Sequence, residues 1–450
     1  MTAPHTITLE SIRDCLEGVI PSVIATCSPD GLPNIAYLSQ VHFVDNRHVA
    51  LSFQFFNKTR ENILANPQAV VQVVDHNTAS HYRLSLRYLH TETEGPLFEK
   101  MKGKLAGIAS HTGMSKVFRL LGADVYEVLN IEGIRGNCSL SYFHTSGRLT
   151  ALRACSSQLA KCADLDTLLD ETLACLNQHF SIDYSILLMF DKLRQHLYTV
   201  TSFGYENSGI GSEIPLGTGI IGVAARERTP IRIMYSTGEY SYSRALRDNL
   251  QRGGALTHIE TEIPFPGLKA PGSQLAVPII SNDDLLGILY VESPLDMRFT
   301  YKDEEALLIL GEQLALAFRL LQQVPETLLE KRRPETPLPV RVGEAMVIRH
   351  YKVDNSCFID NDYLIKGVAG AIFWKLLRDY STLNRTDFSN RELRLDPSIG
   401  LPEIGDNLEA RLILLQKRLT ERSHCLRIEK TGRGRFRLQV ERPVRLEESA

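Results

Sequence analysis

The sequence predicts a multidomain protein: a small β-barrel, then an α+β domain, then a domain of helices closed by a hairpin. Three observations predict this order. The length of 450 residues is about three times the ~150 residues of a typical domain. Short alternating strands fill the first part, strands between long helices the second, and helices before a hairpin the third. The net charge also differs from part to part.

The charge pattern separates the parts more clearly than the total of −3 does. Residues 1–140 carry a net charge of −1, residues 141–340 carry −6, and residues 341–450 carry +4. Within residues 411–445 there are 11 basic residues against 3 acidic ones. A neutral front, an acidic middle and a basic tail indicate modules with different partners.

The overall composition excludes several classes of protein. Charged residues make up 23% and hydrophobic residues 43% of the chain, which excludes a wholly disordered protein. No apolar run approaches the ~20 residues that cross a bilayer, and the first fifteen residues lack the regions of a signal peptide. The eight cysteines contain no CxxC pair, which is typical of reduced thiols. The sequence therefore predicts a cytoplasmic protein.

The first part, residues 1–145, shows strands with turn signals between them. An Asp30-Gly31 turn predicts the first hairpin, and Asn66-Pro67 ends a short helix. Predicted strands cover residues 23–27, 34–37, 41–44, 48–53, 69–74 and 82–89, and predicted helices cover 58–65 and 96–110. Many short antiparallel strands with few helices favour a small β-barrel.

A strand ends and a helix begins at Lys58-Thr59-Arg60. Free backbone amides, a hydroxyl and two cations at a helix N-terminus suit a phosphate. The cations oppose the helix dipole, so an anionic ligand explains them better than a solvated helix start does. A solvated start remains the alternative.

The run from Ile20 to Val71, with FNKTRENILANP as its most specific piece, resembles the pyridoxamine 5′-phosphate oxidase-like split barrels, which bind FMN. The resemblance covers about residues 15–135. It implies a flavin phosphate held by Lys58, Thr59 and Arg60, and an isoalloxazine ring near four further side chains, Ser39, Gln40, Ser52 and Gln54. It also implies a homodimer, because that family builds its sites across a dimer interface.

The resemblance leaves the cofactor and the activity open. The Arg-rich segment that holds pyridoxal substrates is replaced here by another domain, so vitamin B6 chemistry is not expected. Related barrels bind a deazaflavin or haem, for which His42 or His81 would be an iron ligand, although a lone histidine is more often structural. No catalytic triad, paired carboxylate or metal-ligand spacing stands out, so any chemistry would belong to the cofactor.

The second part, residues 146–323, shows terminal helical patterns around a buried strand at 184–190, a glycine-rich turn into a helix at 217–225, and a hairpin at 275–291. The runs PLGTGIIGVAARERTPIRI and LAVPIISNDDLLGILYVES resemble a GAF domain. The resemblance implies a pocket for an unidentified small molecule and dimerisation through terminal helices. Cys155, Cys162 and Cys175 lie on the first helical region, either as a redox or metal sensor or as small buried hydrophobes.

The third part, residues 345–450, follows a linker with four prolines at 324–344. Two strand candidates, helices at 365–380, 389–394 and 406–422, and the hairpin IEKTGRGRFRL resemble the winged helix-turn-helix domains of response regulators. In that family the long helix enters the DNA major groove beside the wing. The resemblance implies DNA-binding residues on the helix and the wing: Arg411, Lys417, Arg418, Arg422, Arg433 and Arg435. Ile413 and Leu414 depart from the pattern, because apolar residues there suit a thymine methyl or a protein interface.

These parts together predict a sensor for signal transduction and transcription regulation, in which a flavin-type barrel and a GAF pocket act on a winged-helix output. The alternative is an FMN-dependent oxidoreductase with regulatory GAF and winged-helix domains. A third possibility is a scaffold that binds no DNA.

Overall fold

The computed structural model describes residues 7–17, 20–38, 41–53, 57–75, 78–111, 120–134, 146–234, 263–323, 344–401, 408–432 and 434–449. Four of the predicted site residues lie outside these ranges: Ser39, Gln40, Gln54 and Arg433. The predicted linker also lies outside them, except for Glu344. In the described part of the chain, no helix is both long enough and apolar enough to cross a membrane.

The N-terminal unit is one antiparallel sheet of seven strands. Its strands are β1 (Ser22–Cys27), β2 (Pro33–Leu38), β3 (His42–Phe43), β4 (His48–Phe53), β5 (Gln68–Val74), β6 (His81–Glu92) and β7 (Gly122–Ile134), in the order β2-β1-β5-β6-β7-β4-β3. The predicted β1–β2 hairpin is confirmed, and Gly31 adopts the positive φ of 84° that its turn requires. A 3-10 helix (Glu10–Glu17) and two α-helices, α1 (Lys58–Ala65) and α2 (Pro96–His111), accompany the sheet.

The middle unit is a six-stranded antiparallel sheet with helices on both faces. Its strands are β8 (Tyr184–Asp191), β9 (His196–Phe203), β10 (Glu213–Pro215), β11 (Ile231–Ile233), β12 (Ser273–Ser281) and β13 (Asp284–Ser293), in the order β10-β9-β8-β13-β12-β11. Three helices, α3 (Ser146–Leu159), α4 (Leu165–Phe180) and α6 (Tyr301–Gln323), cover one face, and α5 (Gly219–Glu227) covers the other. Alternation along β8 explains both layers, because Leu187 packs on the first face and Ile186 on the second.

The described residues of the C-terminal unit form two small sheets, three α-helices and a 3-10 helix (Pro397–Ile399). The strands β14 (Met346–Tyr351), β15 (Ser356–Ile359) and β16 (Asp362–Ile365) form one sheet, which β20 (Val444–Ser449) completes parallel to β14. The second sheet is β17 (Asp387–Ser389), β18 (Leu426–Gly432) and β19 (Arg435–Val440). The helices are α7 (Gly367–Leu383), α8 (Asn390–Leu395) and α9 (Leu408–Arg422). The predicted winged helix-turn-helix stays a prediction, although its elements follow the predicted order.

The hydrophobic core of the middle unit continues into the C-terminal unit. One cluster of buried side chains includes Leu176 and Leu310 of the middle unit together with Ile372 and Leu415 of the C-terminal unit. The core of the N-terminal sheet, around Leu84 and Val71, forms a separate cluster. The last two units therefore share one apolar interior, whereas the N-terminal sheet has its own.

The N-terminal unit meets the middle unit through α2. Gly103 and Gly107 lie one turn apart on this helix, and a Cβ at Gly107 would be 2.3 Å from Ile231. Beside this close contact, Glu304 of α6 forms ion pairs with Lys104 at 3.4 Å and with Arg232 at 2.9 Å. We call the α2–β11–α6 contact with its buried Glu304 the seam.

Candidate functional sites in the barrel and along α9

A cavity of about 140 Å³ opens in the N-terminal sheet beside the start of α1. The strands β1, β2, β4 and β7 and the helix α1 supply its walls. The polar groups among the lining residues are Tyr37, Ser52, Asn57, Thr59, Arg60, Asp124 and Tyr126. Ser52, Thr59 and Arg60 are predicted flavin residues, and the structure brings these three to one cavity. Lys58 is exposed at the helix start and pairs with Glu61 at 3.3 Å.

The N-terminus of α1 offers donors to an anion. Asn57 caps the helix by accepting the Arg60 amide at 3.0 Å, while the amides of Lys58 and Thr59 have no partner within the helix by geometry. The Thr59 hydroxyl accepts a hydrogen bond from Asn34 Nδ2 at 2.9 Å, and its own proton can be donated elsewhere. Two amides, a hydroxyl and the Lys58 ammonium together fit a phosphate.

Arg60 is held differently from the way the resemblance implies. Its guanidinium pairs with the buried carboxylate of Asp124, donates to Thr91 Oγ1 at 2.9 Å, and lies 4.4 Å from the Phe53 ring centroid. Asp124 therefore balances the Arg60 charge at the cavity wall. A phosphate at this end of the cavity would depend on Lys58 and the α1 amides more than on Arg60.

Sequence reasoning missed Asp124 and Tyr126, which both come from β7. Burial, and then the charge of Asp124, raises the pKa of Tyr126, so its hydroxyl stays protonated and can donate. The two residues alternate with apolar neighbours in DVYEV, and this alternation was the available signal for a strand.

The two histidines weighed as iron ligands have other surroundings. His81 Nδ1 lies 3.0 Å from Gln72 Nε2. His42 lies at the seam, where burial and the charges of Lys104 and Lys100 lower its pKa to about 3. A neutral histidine between two lysines does not line the cavity, so the structure gives no support to haem ligation there.

The middle unit has a polar group on the sheet face that α5 covers. The buried carboxylate of Glu292 accepts hydrogen bonds from Tyr205 Oη at 2.9 Å, Tyr290 Oη at 2.8 Å and the Leu268 amide at 2.6 Å. Gln274 Oε1 lies 3.0 Å from the same Tyr290 hydroxyl. Phe265 packs against Tyr290, with ring centroids 6.1 Å apart, and fills part of this face. Glu292 is thus a buried carboxylate that three donors hold on this face of the sheet.

Family comparisons agree with the N-terminal and middle units. The pyridoxamine 5′-phosphate oxidase model matches residues 8–129, and the GAF domain model matches residues 164–318. The middle unit is a GAF domain. The N-terminal unit has the split-barrel type of the first model. No curated protein matches the sequence.

Solved structures resemble single units of the chain. The GAF domain of a phosphoenolpyruvate-protein phosphotransferase from Coxiella burnetii shares 19% identity over 39% of this chain and 94% of its own, with a TM-score of 0.30. An FMN-binding protein from Syntrophomonas wolfei shares 17% identity over 28% and 88%, with a TM-score of 0.25. The free methionine-R-sulfoxide reductase of Neisseria meningitidis shares 18% over 39% and 90%, with a TM-score of 0.31. None of these values supports an inference about activity.

The cysteines of the GAF domain are packing residues in this structure. Cys155 and Cys175 are both fully buried in the core, and the Cys155 thiol donates to the Cys175 carbonyl at 3.5 Å. Burial and the carboxylate of Glu171 raise the pKa of the half-buried Cys162. Among the described residues, no group of three metal-ligating side chains is placed to hold a metal ion. The full burial of Cys155 and Cys175 favours small buried hydrophobes over a sensor site at these two positions.

The predicted DNA-binding residues of α9 do not share one surface. Arg411 and Arg418 are buried, with relative exposures of 4% and 2%, and Lys417 faces the GAF domain. Arg422 of α9 and Arg435 of β19 are exposed. Arg418 donates to the Leu364 carbonyl at 3.0 Å and pairs with Glu421 at 3.2 Å, so it is held within its own unit.

Ile413 and Leu414 are buried where α9 meets the GAF domain. Leu414 Cδ1 would lie 3.7 Å from a Cβ placed on Gly211 of the GAF domain. Of the two explanations for these apolar residues, the structure favours a protein interface, and the interface is within the chain.

Proposed function

We propose that this chain is a sensor–regulator in which a flavin-type barrel and a GAF domain act on a winged-helix output domain that binds DNA. The packing of α9 carries this proposal. Leu415 and Leu419 of α9 belong to the core that the GAF domain and the C-terminal unit share, and Leu414 contacts Gly211 of the GAF domain. A ligand that changes the shape of the GAF domain must therefore also move α9 or strain it.

The DNA part of the proposal is supported by the basic tail and by the two exposed arginines, Arg422 and Arg435. Phosphate contacts provide most of the affinity of such a domain, and each one steepens the fall of affinity with salt. The predicted homodimer stays a prediction, with exposed apolar side chains on β2, Ile35 and Tyr37, in its favour.

A duplex of mixed sequence tests the DNA part. In titrations of the full chain by fluorescence anisotropy at several salt concentrations, Arg435→Ala is expected to reduce the salt slope by about 1, because one phosphate contact is lost. Arg445→Ala is the matched control, since Arg445 is also exposed but lies on β20 in the other sheet. If the salt slope of DNA binding were the same for both variants and for the unchanged chain, the result would support a scaffold protein that binds no DNA through this domain.

The barrel cavity supports FMN as the ligand of the first domain. The α1 amides, Thr59 and Lys58 would hold the phosphate, and Ser52 and Tyr126 would border the ring. A bound flavin would supply a group that accepts and donates hydride or single electrons. The protonated Tyr126 and the Arg60–Asp124 pair would present hydrogen-bonding groups to it.

Lys58→Ala is expected to weaken FMN binding roughly tenfold, because a charge-assisted contact to the phosphate is lost. Quenching of flavin fluorescence measures this affinity. Lys102→Ala is the matched control, since Lys102 is likewise exposed and pairs with a glutamate three residues away, Glu99, at 3.0 Å. An unchanged affinity in Lys58→Ala would remove the phosphate role. Steady NAD(P)H oxidation by the flavin-loaded chain would favour the oxidoreductase.

A further inference from the structure

The start of α4 in the GAF domain carries a row of carboxylates, Asp164, Asp166 and Asp170, which we call the acidic strip. The GAF domain itself orients two of them. Asp164 caps α4 by accepting the Thr167 amide at 3.1 Å, and Asp170 accepts the Thr201 hydroxyl at 2.7 Å. Hydrogen bonds within the GAF domain therefore fix the positions of the Asp164 and Asp170 carboxylates, independently of the C-terminal unit.

The cations that meet the acidic strip come from the C-terminal unit. Lys417 of α9 pairs with Asp170 and lies 3.6 Å from Asp166. Lys430 of the β18–β19 hairpin lies 3.5 Å from Asp164. One row of acids thus reaches both the long helix and the hairpin that follows it.

A second contact extends the same arrangement along α9. Arg411 pairs with Asp191 of β8 at 3.0 Å, and both side chains are almost fully buried. Asp191 also accepts the amides of Leu193 and Arg194 at 3.1 Å each, so its position is set within the GAF domain.

The three carboxylates of the acidic strip lie close together and meet two lysines, Lys417 and Lys430. Burial and the neighbouring carboxylates of Asp170 and Asp164 raise the pKa of Asp166, although Lys417 acts in the opposite direction. Crowded carboxylates of this kind favour any nearby cation, as the phosphates of a nucleic acid do.

Lys417 and Arg411 are also two of the residues that the resemblance to winged-helix domains assigns to DNA. A cation paired with a carboxylate cannot at the same time bond a phosphate in the same geometry. We propose that the acidic strip is an internal competitor for nucleic acid, occupying the basic helix and hairpin until the GAF domain releases them. This inference rests on the proposed function, because it takes DNA to be the partner that the strip displaces.

The apolar side of the contact makes release depend on the GAF domain. Leu414 and the aliphatic part of Arg418 lie against Gly211, at 3.7 and 3.8 Å from the position of a Cβ there. Gly211 has a positive φ of 88° in the loop before β10, so a change in this loop alters the surface on which α9 rests. Two changes would therefore release α9 from the GAF domain: a loss of the ion pairs to the acidic strip, or a shift of the loop that contains Gly211.

The test uses the full chain with Asp164→Asn, Asp166→Asn and Asp170→Asn combined. Asparagine keeps the helix cap and the acceptor for Thr201 but removes three charges. The matched control carries Glu206→Gln, Asp283→Asn and Asp296→Asn, three exposed positions elsewhere on the GAF domain, so its net charge changes equally. The probe is a mixed-sequence DNA duplex of about three helical turns, titrated at one fixed salt concentration.

The strip variant is expected to bind this duplex about tenfold more tightly than the unchanged chain, and the control variant less than threefold more tightly. Amide hydrogen exchange gives a second readout, which is expected to be faster over residues 408–432 in the strip variant alone. Equal gains in the two variants, or no gain while the unchanged chain binds DNA, overturn the competitor and leave the proposed function intact. Faster exchange without DNA binding by any variant overturns the proposed function, and the competitor with it.

Discussion

Replacing Glu304 by alanine is expected to lower the free energy of unfolding by about 3–5 kcal/mol. The substitution removes the carboxylate of a buried ionic cluster and leaves the cations of that cluster in place. Glu304 is 4% exposed. Its carboxylate forms ion pairs with Lys104 of the barrel and with Arg232 of the GAF domain. Without it, two cations at the seam lose their shared carboxylate, and Arg232 is itself almost fully buried. Urea denaturation of the full chain measures the loss.

The neighbouring Glu305→Ala is the matched control. Glu305 pairs with Arg13 at 2.6 Å, but its side chain is about half exposed, so its removal is expected to cost under about 1 kcal/mol. Similar losses in the two variants would contradict the assignment of the seam's stability to the buried carboxylate.

The difference between the Glu304 variant and the unchanged chain is also expected to depend on pH. Burial alone would raise the pKa of Glu304, but Lys104 and Arg232 override it and lower that pKa from 4.5 to about 2. A lowered carboxylate pKa means that the unfolded chain binds the proton more tightly. The stabilisation is therefore complete above pH 4.5 and is lost as the pH falls towards 2. A difference that stayed constant across this range would argue against an ionised Glu304.

Replacing Gly370 by alanine is expected to destabilise the C-terminal unit by about 3 kcal/mol, through overpacking against backbone. Gly370 lies inside α7, and a Cβ there would be 2.0 Å from the Asn355 carbonyl oxygen. This carbonyl belongs to the β14–β15 turn, where Asn355 adopts a left-handed φ of 59°. The turn cannot retreat without breaking its pairing, so the helix must shift. Thermal unfolding followed by circular dichroism measures the effect.

Gly311→Ala gives the opposite expectation at a comparable place. Gly311 is also buried inside a helix, α6, but the nearest atoms to its Cβ position are 3.5 and 3.6 Å away. Alanine fits there and is expected to stabilise by roughly 0.5–1 kcal/mol, because it removes backbone freedom from the unfolded chain. If Gly311→Ala lowered the stability as much as Gly370→Ala does, the space around each glycine would not explain the effect of the added methyl group.

Elements with a local signal could be predicted from the sequence. The helix α1 runs from Lys58 to Ala65 as predicted, because Asn57 caps its start and Pro67 follows its end. The β12–β13 hairpin turns at Asn282 and Asp283, which both adopt positive φ. Such signals act within a few residues and do not depend on distant packing.

The strand β7 was not predicted, and its charges explain why. Asp124 and Glu127 interrupt the apolar pattern, but each is paired from another element, Asp124 by Arg60 and Glu127 by Arg87. Charge pairing across a fold is invisible to a single sequence. The predicted flavin site therefore did not include Asp124 and Tyr126, the two cavity residues that β7 supplies.

The burial of α9 could not be predicted for a related reason. Its cations match a solvent-exposed basic face, and the acids that meet them lie far earlier in the chain. Ile413 and Leu414 were the local hint, because apolar residues on a supposed outer face indicate another surface to cover them. The sequence identifies such a surface as needed without saying which one it is.

The contact between α9 and the GAF domain also has a consequence for synthesis on the ribosome. The chain emerges from its N-terminus, so residues 146–323 can fold before residues 408–422 leave the exit tunnel. The new helix then meets an acidic surface that is already in place, where Lys417 and Arg411 find their carboxylate partners. The parallel pairing of β20 with β14 follows, because β20 comes after α9 in the chain. The long helix can therefore reach its partners on the GAF domain while the rest of the C-terminal unit is still being made.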